Sequence, residues 1–172
     1  MFLKVIKDFT LKKIIKKSLA QYKPALSNDA VATVGIVIDE SYFSDKESII
    51  NELVSSGIAR NAIKTLSFKE RVKPKEVVDC CYFTRKDISV TGTFDKPDVA
   101  EFINTPFDML ISYYDVGKAP LMLATIKSKA KFKVGFSSVD NRLNHFMISS
   151  QVEKYAEFIS ELVKYLKILN KL

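Results

Sequence analysis

Few residues in this chain of 172 have the types and spacing that an active site needs. His145 is the only histidine, which excludes an HExxH zinc helix and any metal site with two histidine ligands. The only cysteines are the adjacent Cys80 and Cys81, which would point to opposite faces of a strand and rarely form a disulfide. No partner for acid–base catalysis can be identified for His145, so we interpret it as a strand-end residue. The sequence therefore predicts no catalytic residue, no metal and no cofactor, and it favours a protein that is not an enzyme.

The five glycines exclude the familiar phosphate-binding loops. They lie far apart, so the chain has neither the GxGxxG pattern of dinucleotide-binding folds nor the glycine-rich pattern of P-loops. A nucleotide would have to bind by another arrangement.

Polar loops follow several apolar segments that we predict to be strands. Ligands of open α/β sheets bind beyond the carboxyl ends of the strands, where loop amides and helix N-termini converge. One interpretation is therefore a phosphate- or sugar-binding crevice in which Lys118 and Arg142 contact an anion. The other is that these loops are polar because they are exposed turns, which are rich in Asp, Ser and Asn. The candidate ligand-binding residues are Asp39, Asp115, Lys118, Ser137, Asp140 and Arg142.

The elements that would position these loops alternate between strand and helix. Nearly continuous apolar, β-branched segments predict strands covered on both faces, and Ser-x-x-Glu capping boxes predict helix starts. Such alternation predicts a three-layer, Rossmann-like α/β sandwich, with a mostly parallel sheet and helices on both faces. Strands are predicted at residues 31–38, 61–68, 88–91, 107–114, 132–136 and 145–148, with an extended segment at 77–83. Helices are predicted from the Ser44 capping box to Gly57, over 96–103 and 118–129, and from the Ser150 capping box onward.

The positive charge is concentrated at one end of the chain. The formal net charge is +7, and residues 1–23 carry seven lysines and one aspartate, whereas residues 24–172 carry 20 basic and 19 acidic residues. We therefore divide the chain into a basic helical arm, residues 1–23, and a single α/β domain, residues 24–172. Lysines interrupt the arm every few residues, which is typical of neither a signal peptide nor a membrane span. We expect a cytoplasmic protein, and a peripheral membrane protein if the arm binds lipid.

The apolar side of the arm changes direction along the helix. At 100° per residue, the apolar residues before position 10 lie on one side and those after it lie on the opposite side. We therefore predict either a break near residues 8–10, with Thr10 as an N-cap, or two halves that contact different partners. Four lysines follow the first apolar group on its own side of the helix. They are Lys12, Lys13, Lys16 and Lys17.

These four lysines are the candidate partner-binding residues. One interpretation is that they bind an anionic surface, either a membrane, where each lysine contributes about 1 kcal/mol, or the phosphates of a nucleic acid. The other is that they form a solvated helix face. The arm lacks the interleaved arginine and aromatic residues of a base-stacking surface, so the sequence does not separate membrane from nucleic acid. The apolar residues of the arm and of the last helix also leave a homodimer open.

Several segments of the chain are distinctive: the start MFLKVIKDFTLKKIIKK, then YFTRKDISVTG, and FDMLISYYD followed by a helix and SKAKFKVGF. With these segments, most of the chain resembles an uncharacterised bacterial family of short proteins, a domain of unknown function with a lysine-rich N-terminal helix. It implies no activity. The sequence itself favours a small non-catalytic α/β module that contacts an anionic or macromolecular partner through its basic arm.

Residues 107–136 are also similar to one half of the heptosyltransferase-like glycosyltransferases, which bind donor and acceptor between two Rossmann-like domains. This chain has the length of one half and shows no donor-binding motif, so no catalytic residue is carried over. The likeness implies, as the alternative function, a nucleotide-sugar or phosphate ligand at the carboxyl ends of the strands.

Overall fold

A computed structural model describes residues 2–23, 27–77 and 81–172, and within them it shows one sheet of six parallel strands with helices on both faces. This confirms the predicted three-layer, Rossmann-like α/β fold. The strands are β1 (Val34–Asp39), β2 (Ile63–Phe68), β3 (Tyr82–Phe83), β4 (Met109–Tyr113), β5 (Phe132–Phe136) and β6 (Phe146–Ile148). The helices are α1 (Phe2–Gln21), α2 (Lys46–Ser55), α3 (Pro97–Asn104), α4 (Ala119–Lys127) and α5 (Tyr155–Ile168), with short 3-10 turns at Arg60–Ala62 and Arg85–Asp87.

The strand order is β3-β2-β1-β4-β5-β6, with β1 paired to both β2 and β4. The chain first builds outward from β1 to β3 and then returns to place β4 on the other edge of β1. The strand order therefore reverses between β1 and β4, which is the position where open α/β sheets leave a crevice beyond the strand ends.

Each face of the sheet has its own hydrophobic core, because successive side chains of a strand point to opposite faces. Leu110 lies in the core under α1, α3 and α4, whereas its neighbour Ile111 lies in the core under α2 and α5. Every residue of β1, β4 and β5 is buried, as the nearly continuous apolar segments predict. Gly35 at the centre of β1 leaves room for the Phe107 ring, which would lie 2.7 Å from a Cβ there.

The predicted strands at 31–38 and 88–91 differ most from the structure, for local reasons. β1 begins at Val34 because the backbone N–H groups of Ala32 and Thr33 donate to the carboxylate of Asp108, at 3.1 and 2.9 Å. The strand predicted at 88–91 is wrong: Ile88 makes one isolated bridge, and hydrogen bonds centred on Ser89 fold the following residues into a turn. Of the extended segment predicted at 77–83, residues 78–80, including Cys80, lie outside the described residues.

The two predicted capping boxes are also wrong. The side chain that caps α2 is that of Asp45, which accepts a hydrogen bond from the Ser48 N–H at 3.2 Å, so the cap lies one residue after Ser44. α5 begins only at Tyr155, and Ser150 does not cap it. The predicted end of the second helix is confirmed, because Gly57 takes the left-handed conformation, with φ of 104°.

α1 runs unbroken through the position where a break is predicted. The Thr10 hydroxyl donates to the Ile6 carbonyl at 2.9 Å, inside the helix, so Thr10 is not an N-cap. The second half of α1 packs against the domain through Leu11, Ile15 and Leu19, which are at most 5% exposed. The lysine-rich segment is therefore one helix whose second half belongs to the hydrophobic core.

Candidate functional site

A chain of ion pairs runs along the carboxyl edge of the sheet. The ammonium of Lys118 lies 2.8 Å from the carboxylate of Asp39 and 3.4 Å from that of Glu70. Glu70 lies 3.3 Å from Nε of Arg85, whose Nη1 lies 2.8 Å from Asp8 of α1. These residues come from the ends of β1, β2 and β3, from the loop before α4, and from α1. The ion pairs therefore tie the first half of α1 to the edge of the sheet.

A second set of contacts centres on Glu40, directly after β1. The ammonium groups of Lys46 and Lys69 each lie 3.1 Å from its carboxylate, and the Ser67 hydroxyl donates to it at 2.7 Å. Burial alone would raise the pKa of Glu40, but these three donors outweigh burial and the pKa is lowered. Glu40 is therefore held as a carboxylate whose contacts join the loops after β1 and β2.

Four of the six predicted ligand-binding residues form two separate ion pairs. Asp39 pairs with Lys118, and Asp140 pairs with Arg142, whose Nη2 lies 2.6 Å from the Asp140 carboxylate. The pKa of Asp140 is lowered because Arg142 donates hydrogen bonds to it. Both cations that we expect to contact an anion therefore already have a carboxylate partner.

The remaining two predicted residues lie in neighbouring loops. The hydroxyl of Ser138 donates to the backbone carbonyl of Asp115 at 2.8 Å, which joins the loops after β4 and β5. The backbone N–H of Ser137 donates to Ile148, and its side chain is exposed. Ligand binding by the six residues stays a prediction.

A cavity of about 990 Å³ lies between the first half of α1 and the loops that follow β2 and β3. None of the six predicted residues lines it. A smaller cavity of about 300 Å³ adjoins it and shares Glu70 and Arg71. The acidic residues that line the large cavity are Glu70 and Asp87, and the basic residues are Lys4, Lys7, Arg71, Arg85, Lys86 and Lys96.

The cavity was hard to predict because its basic residues come from four separate segments. The segments are the start of α1, the loop after β2, the turn after β3 and the residue before α3. Each basic residue lies beside acidic residues in the sequence or belongs to the arm, so charge counted by segment shows no excess outside residues 1–23. Two charged stretches, KERVKPKE and TRKD, each directly follow a strand, and these were the sequence features that could have indicated the cavity.

The outward face of α1 is exposed along the whole helix. The apolar side chains of its first half are between 43% and 80% exposed, which is unusual for a group of neighbouring large residues. These exposed residues are Phe2, Leu3, Val5, Ile6 and Phe9. The four candidate lysines in the second half are exposed as well. We call Phe2, Val5, Ile6 and Phe9, together with Lys12, Lys13, Lys16 and Lys17, the outer face of α1. Leu3 lies at the margin of this face and also lines the cavity.

His145 has structural contacts at the start of β6. Its Nδ1 accepts a hydrogen bond from the Lys133 N–H at 2.9 Å, and its ring stacks on Phe132 with 5.6 Å between ring centres. This agrees with the interpretation of His145 as a strand-end residue.

Residues 2–23, 27–77 and 81–172 include no cluster of three or more His, Cys, Asp or Glu side chains that could hold a metal ion. Within the same ranges, no helix combines the length and the apolar character needed to cross a bilayer.

One protein-family model matches residues 7–169, and its description is a family of unknown function (DUF6913). A search of the curated proteins finds no significant match, and neither does a search of the solved structures. The family match confirms the resemblance to an uncharacterised domain of unknown function. The likeness of residues 107–136 to glycosyltransferases stays a prediction.

Proposed function

The chain belongs to DUF6913, a family of unknown function, and we propose that it binds the surface of an anionic membrane through the outer face of α1. The observation that carries this proposal is the order of side chains on that face. Exposed apolar residues occupy the first half of the helix, and exposed lysines occupy the second half.

The continuity of α1 places both groups on one surface. At 100° per residue, Phe2, Val5 and Phe9 point in the same direction as Lys12 and Lys16. The buried side chains of the second half point in another direction and pack on the domain. A helix of 20 residues is about 30 Å long, so the apolar half can enter a membrane interface while the lysines lie at the level of the lipid phosphates.

The two halves of the outer face contribute different kinds of binding free energy. Each lysine near an anionic leaflet contributes about 1 kcal/mol, and each large apolar side chain buried in the interface contributes roughly 1.5–3 kcal/mol. Membrane binding through a single weak signal is marginal, whereas two signals together give stable attachment. This arrangement supports a peripheral association that needs both the lysines and the phenylalanines.

The exposed apolar residues favour a membrane over a nucleic acid as the partner. Lysine contacts with phosphates account for nonspecific nucleic-acid binding, which gains little from exposed valine and isoleucine side chains. The outer face carries Val5 and Ile6 between Phe2 and Phe9, and it carries no arginine that could stack on a base. A lipid interface, in contrast, accepts all of these apolar side chains.

Vesicle sedimentation with two double variants tests the proposal. We expect the protein to bind vesicles of phosphatidylserine and phosphatidylcholine, and to bind pure phosphatidylcholine vesicles much less. Replacing two lysines (K12Q/K16Q) or two phenylalanines (F2S/F9S) should each weaken binding by about tenfold or more, from the contributions above. The matched control is K164Q/K167Q, which removes two exposed charges from α5 and should bind like the unmodified protein.

Three results would contradict the proposal. The first is no binding to phosphatidylserine vesicles at low salt, and the second is equal binding by F2S/F9S and the unmodified protein. The third is binding to RNA but not to vesicles, with RNA binding lost in K12Q/K16Q and kept in F2S/F9S.

Light scattering measures whether the protein forms a homodimer. A dimer that dissociates in F2S/F9S, together with no vesicle binding, would show that a second copy covers the outer face.

A further inference from the structure

We propose that the large cavity between α1 and the loops after β2 and β3 binds a ligand that carries at least two phosphate groups. This site lies on the opposite side of α1 from the outer face and uses none of its lysines. It also uses none of the six residues that the sequence suggests for ligand binding.

The first half of α1 forms one wall of the cavity because of how the second half packs. At 100° per residue, Lys4 and Lys7 lie on the same side of the helix as the buried Leu11 and Ile15. The second half packs on the domain, and the inner side of the first half faces the residues that follow β2 and β3. The lysines on that inner side line the cavity.

Four basic side chains that line the cavity have no acidic partner among the described residues. No ion pair or side-chain hydrogen bond within that part of the chain is made by Lys4, Lys7, Arg71 or Lys86. They reach the cavity from three separate segments of the chain. Basic groups placed together repel one another, and a bound polyanion would relieve this repulsion.

The two other basic residues of the cavity are held in place by neighbouring groups. Arg85 lies between Glu70 and Asp8. Lys96 donates to the Tyr82 carbonyl at 3.1 Å, lies 3.4 Å from the centre of the Tyr82 ring and lies 3.8 Å from Asp87. Glu70 and Asp87, the two acidic residues of the described lining, are therefore already in ion pairs with Arg85 and Lys96.

Size and position also fit a small anionic ligand. The volume of about 990 Å³ lies at the upper end of the range of roughly 300–1,000 Å³ that is typical of small-molecule sites. The cavity lies at the carboxyl ends of β2 and β3, the end of the strands at which open α/β sheets bind ligands, and to one side of the order reversal between β1 and β4. Four cations without an acidic partner among the described residues match the charge of a triphosphate better than that of a single phosphate. The same chemistry occurs in soluble polyphosphates and in the headgroups of phosphorylated lipids.

Calorimetric titration with inorganic tripolyphosphate tests the site in solution, without any membrane. We expect binding that becomes about tenfold weaker or more in R71Q/K86Q and in K4Q/K7Q, because each charge-assisted hydrogen bond accounts for about that change in Kd. The matched control K12Q/K16Q removes two charges from the outer face and should bind tripolyphosphate like the unmodified protein. All of these residues are at least partly exposed, so the variants are expected to fold, and thermal melts would verify this.

Equal binding by R71Q/K86Q and K12Q/K16Q would overturn the proposal, since attraction would then depend on total charge alone. Absence of binding by the unmodified protein at millimolar tripolyphosphate would also overturn it.

Two further binding experiments identify the source of the phosphates. ATP that binds more tightly than tripolyphosphate points to a nucleotide. A preference for phosphatidylinositol bisphosphate vesicles over phosphatidylserine vesicles of equal charge, abolished in R71Q/K86Q, points to a lipid headgroup.

Because no membrane enters the tripolyphosphate titration, the cavity and the outer face are tested separately. Loss of vesicle binding in F2S/F9S with intact tripolyphosphate binding would support both proposals.

Discussion

Lys133 is a basic residue in the interior of β5, and it is only 3% exposed. Its ammonium donates to the carbonyls of Thr125 at 2.6 Å and Ser128 at 2.9 Å, at the C-terminal end of α4, and lies 4.9 Å from the centre of the Tyr22 ring. The helix end favours the cation, but burial penalises the charged form more and lowers the pKa of Lys133 to about 8.

The lowered pKa of Lys133 predicts that stability increases with pH above 8. Between pH 8 and about 10.4 the unfolded chain keeps this proton and the folded chain loses it, so raising the pH favours the folded state. Urea denaturation should give a free energy of unfolding about 1–2 kcal/mol higher at about pH 9.5 than at about pH 7.5. K133M should lose this increase, and K64M, which replaces an exposed lysine, should keep it. The same increase in K133M as in the unmodified protein would contradict the assignment to Lys133.

Lys133 also shows what the sequence could predict at single positions. The segment FKVGF predicts a buried strand, and β5 has those bounds. The pattern of one strand cannot show that its lysine is satisfied by carbonyls of the preceding helix. The ion pairs differ in the same respect. The pair between Asp39 and Lys118 was predictable, because the sequence places both residues at the carboxyl edge of the sheet. The pair between Asp8 and Arg85 was not predictable, because it depends on how α1 packs on the domain.

α1 is the element whose two halves differ most in environment. Ile15 is 5% exposed in the core, whereas Ile6, on the same helix, is 43% exposed on the outer face. The change in direction of the apolar side, which the sequence shows, corresponds to this difference. The sequence does not show that the helix continues through Thr10, because continuity depends on the packing of the second half on the domain.

Alanine substitution of the two isoleucines compares the halves of α1 directly. I15A should lower the free energy of unfolding by roughly 2–4 kcal/mol, because it leaves a cavity in the core. I6A should change it by no more than about 0.5 kcal/mol, because the side chain is largely exposed. Urea denaturation of both variants checks this. Equal losses would show that the first half of α1 is packed in solution, and equal small changes would show that the second half is not.

Outside α1, strands buried on both faces were easier to predict from the sequence than the positions where helices begin. The strands of the sheet interior follow from apolar composition, since both faces of these strands are covered. Helix starts were less predictable, because a cap depends on a hydrogen bond that several neighbouring polar residues can make, as Asp45 does beside Ser44. The strand order also needs the structure, since alternating strands and helices fit several parallel sheets.

The position of α1 on one face of the sheet determines which side of the molecule would face a membrane. α1 lies over one face and α5 over the other, so a membrane that contacts the outer face of α1 leaves α5 directed away from it. The cavity opens at the strand ends beside α1 and is therefore near the membrane in this orientation. The homodimer through α1 and the last helix stays a prediction.

Tryptophan fluorescence tests the orientation, because the chain contains no tryptophan. F9W places one indole on the outer face, and I168W places one at the end of α5. The two replaced side chains are similarly exposed, at 71% and 63%. On adding phosphatidylserine vesicles, the emission of F9W should shift to shorter wavelength and become protected from an aqueous quencher, because the indole leaves water, whereas I168W should keep its emission and its quenching. Equal shifts in both variants would mean that the molecule binds without a preferred face, and a shift confined to I168W would place the membrane on the α5 side and contradict the proposed contact.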